Sequence, residues 1–224
     1  MIRSVLFDFN GVILDDETVH RDLFAQVLAP HGVPLSPEDY DALYLGMDDR
    51  GCLSAAWQAA KESPIPDSTL RELIDAKSRL YEIRMAEGLP LYEGVHTLIR
   101  ELAKRVPLGI VSGALRPEIL HALDQNGLKN LFAFVVSAED THHGKPDPEG
   151  YLKAYHLLLD RGLHAGGPEE IAVIEDSVQG IEAARKAGMK TVGVGHTYPM
   201  SQLLEADRTV PHIRLLTAET VLSL

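Results

Sequence analysis

Asp8, Ser112, Lys145 and the adjacent pair Glu175 and Asp176 are far apart in the chain, yet each ends or follows a short apolar run or a Gly/Pro-rich turn. Asp8 closes "VLFD" and the acid pair closes "IAVIED". Three carboxylates crowded at one sheet edge repel strongly unless a cation joins them, and hard oxygen ligands in a site that keeps waters suit Mg2+. Lys145 stands in "THHGKPDPEGY", a loop leading into a helix whose first turn is acidic. An ammonium held there can neutralise a nucleophilic carboxylate and a phosphate together. Ser112 and Gly113, in "LGIVSGALRPE", offer a hydroxyl and backbone N–H groups to a phosphate oxygen, with Arg116 near the next helix start as support. Taken singly, each has a plain reading: solvated strand-end acids, an exposed loop lysine, a Ser-Gly turn. Ser112 lacks the G-x-S-x-G frame of a nucleophile elbow. Zinc has no case at the acid group, and His142 and His143, adjacent in a loop and without a third ligand in the sequence, read as solvated.

These groups meet only if the elements carrying them lie side by side. Short Val/Ile-rich runs at 4–9, 108–112, 134–137, 171–175 and 191–194 alternate with segments of helical period, the pattern of parallel strands covered by helices on both faces. Val95, Leu98, Ile99 and Leu102 fall at i, i+3, i+4 and i+7, and Gly188 stands where a helix starting near Val178 should stop. In such a sheet the loops after all strands share one edge, where α/β proteins bind ligands. From 17 to 87 no strand pattern appears; Val19, Leu23, Val27 and Leu28 make one helical stripe and Leu70, Leu73, Ile74, Leu80 and Tyr81 another. Turn signals at "HGVPLSPED" and "ESPIPDS" divide this stretch into three or four helices, with Ser36 and Asp67 as N-caps. The expected organisation is an α/β core over 1–16 and 88–224 with an all-helical insert over 17–87, placed after the first strand to act as a lid.

The 33 acidic residues against 21 Lys and Arg give a net charge of -12, so a nucleic-acid backbone meets net repulsion. Cys52 is the single cysteine, which excludes an intrachain disulfide and a multi-cysteine zinc site. No run approaches the ~20 apolar residues of a membrane span, and no signal-like stretch follows a basic start. A soluble, cytoplasmic chain with no nucleic-acid or membrane partner is expected, as a monomer or weak homodimer.

The segments "DFNGVILDDETVH", "VSG", "GKPDPEGY" and "VIEDSVQGIEAARKAGM", in this order, resemble the four motifs of the haloacid dehalogenase-like superfamily, in particular its capped phosphatases and beta-phosphoglucomutase-like members. The resemblance implies a Rossmann-like parallel-sheet core with an inserted helical cap, and a small phosphorylated metabolite, of sugar phosphate or phosphoglycolate type, as substrate. It also implies that Asp8 is the nucleophile, that Ser112 and Gly113 bind phosphate, that Lys145 steadies both, and that Glu175 and Asp176 hold Mg2+ with Asp8. His20 and the loop residue Arg50, in "DDETVH" and "GMDDRG", fall where such members carry cap-hinge and substrate-phosphate contacts.

Asn10 departs from that pattern. In the phosphatases this chain resembles, the residue two after the nucleophile is a second aspartate that protonates the leaving group and then activates water, while its backbone carbonyl binds the metal. An amide keeps the carbonyl but cannot shuttle a proton; general acid–base catalysis is typically worth ~10²- to 10⁴-fold, or roughly 3 to 5.5 kcal/mol of barrier. Three readings stay open: a slowed phosphatase in which substrate, water or Asp15 supplies the proton; a module that binds Mg2+ and a phosphate ester without turnover; or conversion of Asn10 to Asp, favoured by Gly11. A phosphomutase is a further alternative within the family. Phosphonate cleavage would need a cap lysine, Lys61 or Lys77, and carbon–halogen cleavage fits poorly with an acid pair that asks for a cation.

Overall fold

The computed structural model describes residues 1–45, 47 and 49–224. The chain divides into two compact units, Met1–Asp15 with Pro90–Leu224, and Asp16–Leu89.

The first unit is built on a six-stranded parallel sheet: β1 Ser4–Phe7, β2 Leu108–Val111, β3 Phe134–Val136, β4 Ile171–Glu175, β5 Lys190–Val194 and β6 Arg208–Val210, in the order β3-β2-β1-β4-β5-β6. Every residue of β1 to β4 is buried, which is why these strands read as continuous apolar runs rather than alternating ones. The chain runs outward from β1 to β3, then returns to build from β4 to β6 on the other side, so the order reverses beside β1. A crevice opens at the strand carboxyl ends at such a reversal. Register fixes what lies there: Phe7 pairs with Ile110 on one side and Ile174 on the other, so Asp8 stands level with Val111 and Glu175, one step short of Ser112 and Asp176.

Strand β6 is absent from the expected set. It is three residues long, half-buried and at the sheet edge, so it carries no apolar run to read. Helices α5 Val95–Ala103, α6 Arg116–Gln125, α7 Glu149–Asp160, α8 Val178–Lys186 and α9 Ala218–Leu222 belong to this unit, and α5 buries Val95, Leu98, Ile99 and Leu102 as its spacing predicts. Helix α8 ends just before Gly188, whose φ of 81° and N–H bond back to Arg185 make it the left-handed stop.

Among its described residues the second unit is helical: α1 Glu17–Leu28, a short α2 Pro37–Asp39 running into a wide turn at Tyr40–Tyr44, α3 Asp49–Lys61 and α4 Asp67–Glu87. Ser36 caps α2, its Oγ accepting from the Asp39 N–H at 3.0 Å. Asp67 is the first helical residue of α4 and Pro66 takes the cap position instead. Phe24, Val27, Leu28, Tyr40, Cys52, Leu53, Leu70 and Leu73 form its core. Lys77 takes a place in the buried stripe of α4, between Leu73 and Tyr81, while Ile74 and Leu80 are only partly covered. Its ammonium pairs with Asp49 at 2.5 Å, donates toward His20 Nδ1 at 2.9 Å and lies 4.2 Å from the centre of the Phe24 ring. Such pairing is what a buried charge requires. Among the described residues no helix is long and apolar enough to cross a membrane.

Candidate active site

Asp8 follows the last residue of β1 and is 8% exposed. Its Oδ1 accepts from Lys145 Nζ at 2.6 Å, and the same ammonium donates to Glu175 Oε1. Burial raises the Asp8 carboxyl to about 7; Lys145 pulls it down and the Glu175 carboxylate pushes it up. Burial alone would lower Lys145, but the Asp8 and Glu175 carboxylates hold it well above the usual lysine value.

Glu175 is fully buried, and its oxygens are claimed by protein donors. Oε1 accepts from Lys145 and from Tyr151 Oη at 2.9 Å; Oε2 accepts from Ser177 Oγ at 2.9 Å and from the N–H groups of Asp176 and Ser177 at 3.1 Å. Ser177 in turn caps α8 through Gly180, where a Cβ would fall 1.8 Å from the Glu175 carboxylate. The acid therefore sits against the start of a helix, where a negative charge is favoured.

Asp176 is also buried, and its Oδ2 accepts from Thr197 Oγ1. Burial and then the Glu175 and Asp8 carboxylates raise its carboxyl well above the usual range. Asp8, Glu175 and Asp176 each bring a carboxylate oxygen within 4.8 Å of the others. Three acids against one ammonium leave an excess of negative charge in a dry place, and a donor set of carboxylate oxygen fits Mg2+.

Asn10 opens a tight turn that closes through a bridge to Leu14. Gly11 follows with φ of 73°, and a Cβ there would lie 2.0 Å from Asp176 Oδ2. Only glycine allows the turn to pass this close to the acid. Ser112 follows the last residue of β2, its N–H bound to Val136 O at 2.9 Å and its Oγ accepting from the Ala114 N–H at 3.1 Å. Gly113 faces open space. Arg116, expected beside a phosphate, is held elsewhere: its guanidinium donates to Asp140 and to Val135 O.

Bonds thus join Asp8, Lys145 and Glu175, and Asp176 completes the acid group; Asn10 and Ser112 lie at the same sheet edge by sequence and register. His20 and Arg50 belong to the helical unit. His20 Nε2 lies 3.1 Å from Asp16 Oδ2, and its ring stacks on Tyr81 at 4.8 Å. Arg50, expected in a loop, is in the first turn of α3 and exposed; Gly46 and Asp48 of the same motif lie outside the described residues. His143 forms a second, exposed group with Asp147 and Glu149, its Nδ1 3.1 Å from Glu149. Beside Tyr151 and Ser177, which bind Glu175, His196 and Thr197 escaped the sequence reading. The last two follow the end of β5, so the strand-end reasoning applied to the other strands would have found them.

The chain matches the model of the haloacid dehalogenase-like hydrolases over residues 5–194. It is 30% identical over 214 residues to validoxylamine A 7'-phosphate phosphatase of Streptomyces hygroscopicus subsp. limoneus, covering 92% of both chains. It is 28% identical to beta-phosphoglucomutase of Bacillus subtilis, covering 97% of this chain and 93% of that one. Among solved structures it resembles a mutant of CbbY from Rhodobacter sphaeroides in complex with xylulose-(1,5)bisphosphate, with a TM-score of 0.71, 26% identity and 96% coverage of each chain. With its parallel sheet and the acid group at the strand ends, this chain belongs to the haloacid dehalogenase-like hydrolase family.

Proposed function

We propose that the protein is an Mg2+-dependent phosphatase of a small phosphomonoester, of the sugar phosphate or phosphoglycolate type, working through an aspartyl-phosphate on Asp8. The observation that carries this is Lys145 bridging Asp8 and Glu175 inside a buried acid group. Asp8 attacks phosphorus as the ester P–O bond breaks and the alcohol leaves with a proton from water or Asp15, and water then cleaves the aspartyl-phosphate to release inorganic phosphate; Lys145 orients the Asp8 carboxylate and offsets the charge of the incoming phosphoryl group; Ser112 and the backbone at Gly113 receive phosphoryl oxygens. Asp8, Asp176 and the Asn10 carbonyl would hold the ion, with Glu175 adding to the field while it anchors Lys145. When bound, Mg2+ neutralises charge on the phosphoryl oxygens. The helical unit is read as the cap, with His20 and Arg50 as its substrate contacts. Relatives named as a phosphorylated carbohydrates phosphatase and a beta-phosphoglucomutase support this substrate class.

Asn10 favours a second reading, binding without turnover, because no proton leaves an amide near neutral pH. The structure of a mutant CbbY in complex with xylulose-(1,5)bisphosphate supports this reading. Phosphate release from a panel of small phosphate esters, by the protein and by Asn10→Asp, with Mg2+ and with chelator, separates the two. The phosphatase reading expects Mg2+-dependent release that rises by roughly 10²- to 10⁴-fold in the variant. Release from neither, with thermal stabilisation by a phosphate ester, would establish the binding reading.

A further inference from the structure

The Gly11 peptide is gripped at both ends. Its N–H donates to Leu14 O at 3.1 Å, and its carbonyl accepts from His196 Nδ1 at 2.7 Å, across 185 residues of chain. On the other side of the ring, His196 Nε2 accepts from the Ile213 N–H at 3.1 Å. These two bonds fix one tautomer, with the proton on Nδ1. The ring is clamped as well: it stacks on Tyr92 with centroids 3.8 Å apart, and His212 packs edge-on at 4.6 Å. Tyr92 itself is tied to the same turn, its N–H donating to Ile13 O at 3.1 Å. Burial lowers His196 to about 4, which keeps the ring neutral and the arrangement intact at neutral pH. The next residue, Thr197, holds Asp176 Oδ2, and a Cβ on Gly11 would lie 3.0 Å from the Thr197 hydroxyl. Adjacent residues after β5 therefore grip the Asn10–Gly11 turn and the Asp176 carboxylate, the two groups that must keep their spacing around a cation.

We propose that His196 is a positioning residue: through the Gly11 carbonyl it holds the Asn10–Gly11 turn in the conformation that presents the Asn10 carbonyl to the cation and keeps the Asn10 amide intact. The first half rests on the reading of Asn10 and Asp176 as cation ligands; the second does not. Deamidation at Asn10 requires the Gly11 nitrogen to attack the Asn10 side-chain carbon. A new N–C bond forms, the C–NH2 bond breaks and ammonia leaves; water then opens the succinimide to Asp or isoaspartate. The attacking nitrogen must first give up its bond to Leu14 and the turn must rotate, and a carbonyl anchored by His196 opposes that rotation.

Two conservative substitutions separate the roles of the ring nitrogens. His196→Asn keeps a donor close to the position of Nδ1 and loses the acceptor for Ile213; His196→Gln reaches toward Ile213 and loses the donor to Gly11. Magnesium affinity is measured by calorimetry with the metal alone, and Asn10 is followed by peptide mass after storage at neutral pH. His196→Gln is expected to bind Mg2+ about tenfold more weakly, as when an outer partner of a metal ligand is removed, and to gain the mass of deamidation faster than wild type. His196→Asn is expected to match wild type in both. Equal behaviour of the two variants, or a greater loss in His196→Asn, overturns the proposal, because neither pattern follows the loss of the donor to Gly11. If wild type releases no phosphate while Asn10 still deamidates faster only in His196→Gln, the positioning role stands and the phosphatase reading falls. If wild type is an active Mg2+-dependent phosphatase and neither readout moves in His196→Gln, the positioning role falls and the phosphatase reading stands.

Discussion

Lys145 Nζ lies 2.6 Å from Asp8 Oδ1 although the two residues are 137 positions apart, and the same ammonium reaches Glu175. One cation thus serves two acids from neighbouring strands, and neither acid can shift without moving the other's partner. Replacing Lys145 with Met should lower phosphate release by about 10²- to 10³-fold, the cost of losing one preorganised donor to developing charge. The pH profile gives an independent check. Lys145 is what holds the Asp8 carboxyl down to about 7, so the acid limb of the rate profile should move upward in the variant. An unmoved limb would mean that Asp8 is not the ionising group.

Magnesium binding should be strongly pH-dependent around neutrality. The native Asp8 carboxyl is raised above its unfolded value of 3.8 to about 7, so the metal-free protein holds a proton there that the unfolded chain releases. The sign follows: between those two values the metal-free fold loses stability as pH rises, and an ion that replaces the proton restores it. The Asp8 proton alone should make affinity fall by up to about tenfold per pH unit below about 7, and the raised Asp176 carboxyl should steepen or extend that fall. Calorimetry in buffers of different ionisation enthalpy should record proton release on binding at pH 6.5 and less at pH 8. Binding that is flat across this range would separate Asp8 from the ion.

Gly11 and Gly113 should respond in opposite ways to the same change. Gly11→Ala adds a carbon 2.0 Å from Asp176 Oδ2 at a φ of 73°, so it meets both a clash and a left-handed backbone cost of about 1–2 kcal/mol. Lower thermal stability and loss of Mg2+ binding are expected together. Gly113→Ala meets nothing within 4 Å. Its thermal stability should stay at the wild-type value while KM for a phosphate ester rises, because the added methyl occupies the space read as the phosphate pocket. An unchanged KM would remove Gly113 from that pocket.

What could be read from the sequence was what repetition made redundant. Each buried parallel strand is an apolar run, and the rule that strand carboxyl ends share an edge then brings Asp8, Ser112 and Glu175 together without further information. Where redundancy fails, so does the reading. β6 has three half-buried residues and no run. The grip of His196 on Gly11 depends on the tautomer and on a stacked Tyr92, neither of which leaves a spacing in the chain. Arg116 looked free to meet an anion because nothing in "ALRPE" announces that Asp140, 24 residues later, takes its guanidinium. Lys77 sits at a helical-core position, and only the fold supplies the partners that make a buried ammonium tolerable there.

Lys77 is accordingly a structural charge within the helical unit, and a double-mutant cycle should show it. Its side chain is 2% exposed against 35% for Asp49, so removing the lysine strands His20 Nδ1 without a donor while water reaches part of Asp49. Lys77→Met should cost about 1–3 kcal/mol, the penalty for a buried polar group that loses its partner. Asp49→Asn should cost less, since an amide oxygen still accepts from the ammonium, and the two losses together should fall short of their sum because one substitution removes and the other weakens the same interaction. The same pairing bears on phosphonate chemistry. An amine that attacks a carbonyl must leave its carboxylate partner and surrender a proton, and Lys77 is enclosed by Asp49, His20 and the Phe24 ring. Borohydride reduction in the presence of an aldehyde-bearing phosphonate should therefore leave the mass of the Lys77 peptide unchanged. A reduced adduct on that peptide would overturn the structural assignment and reopen carbon–phosphorus cleavage.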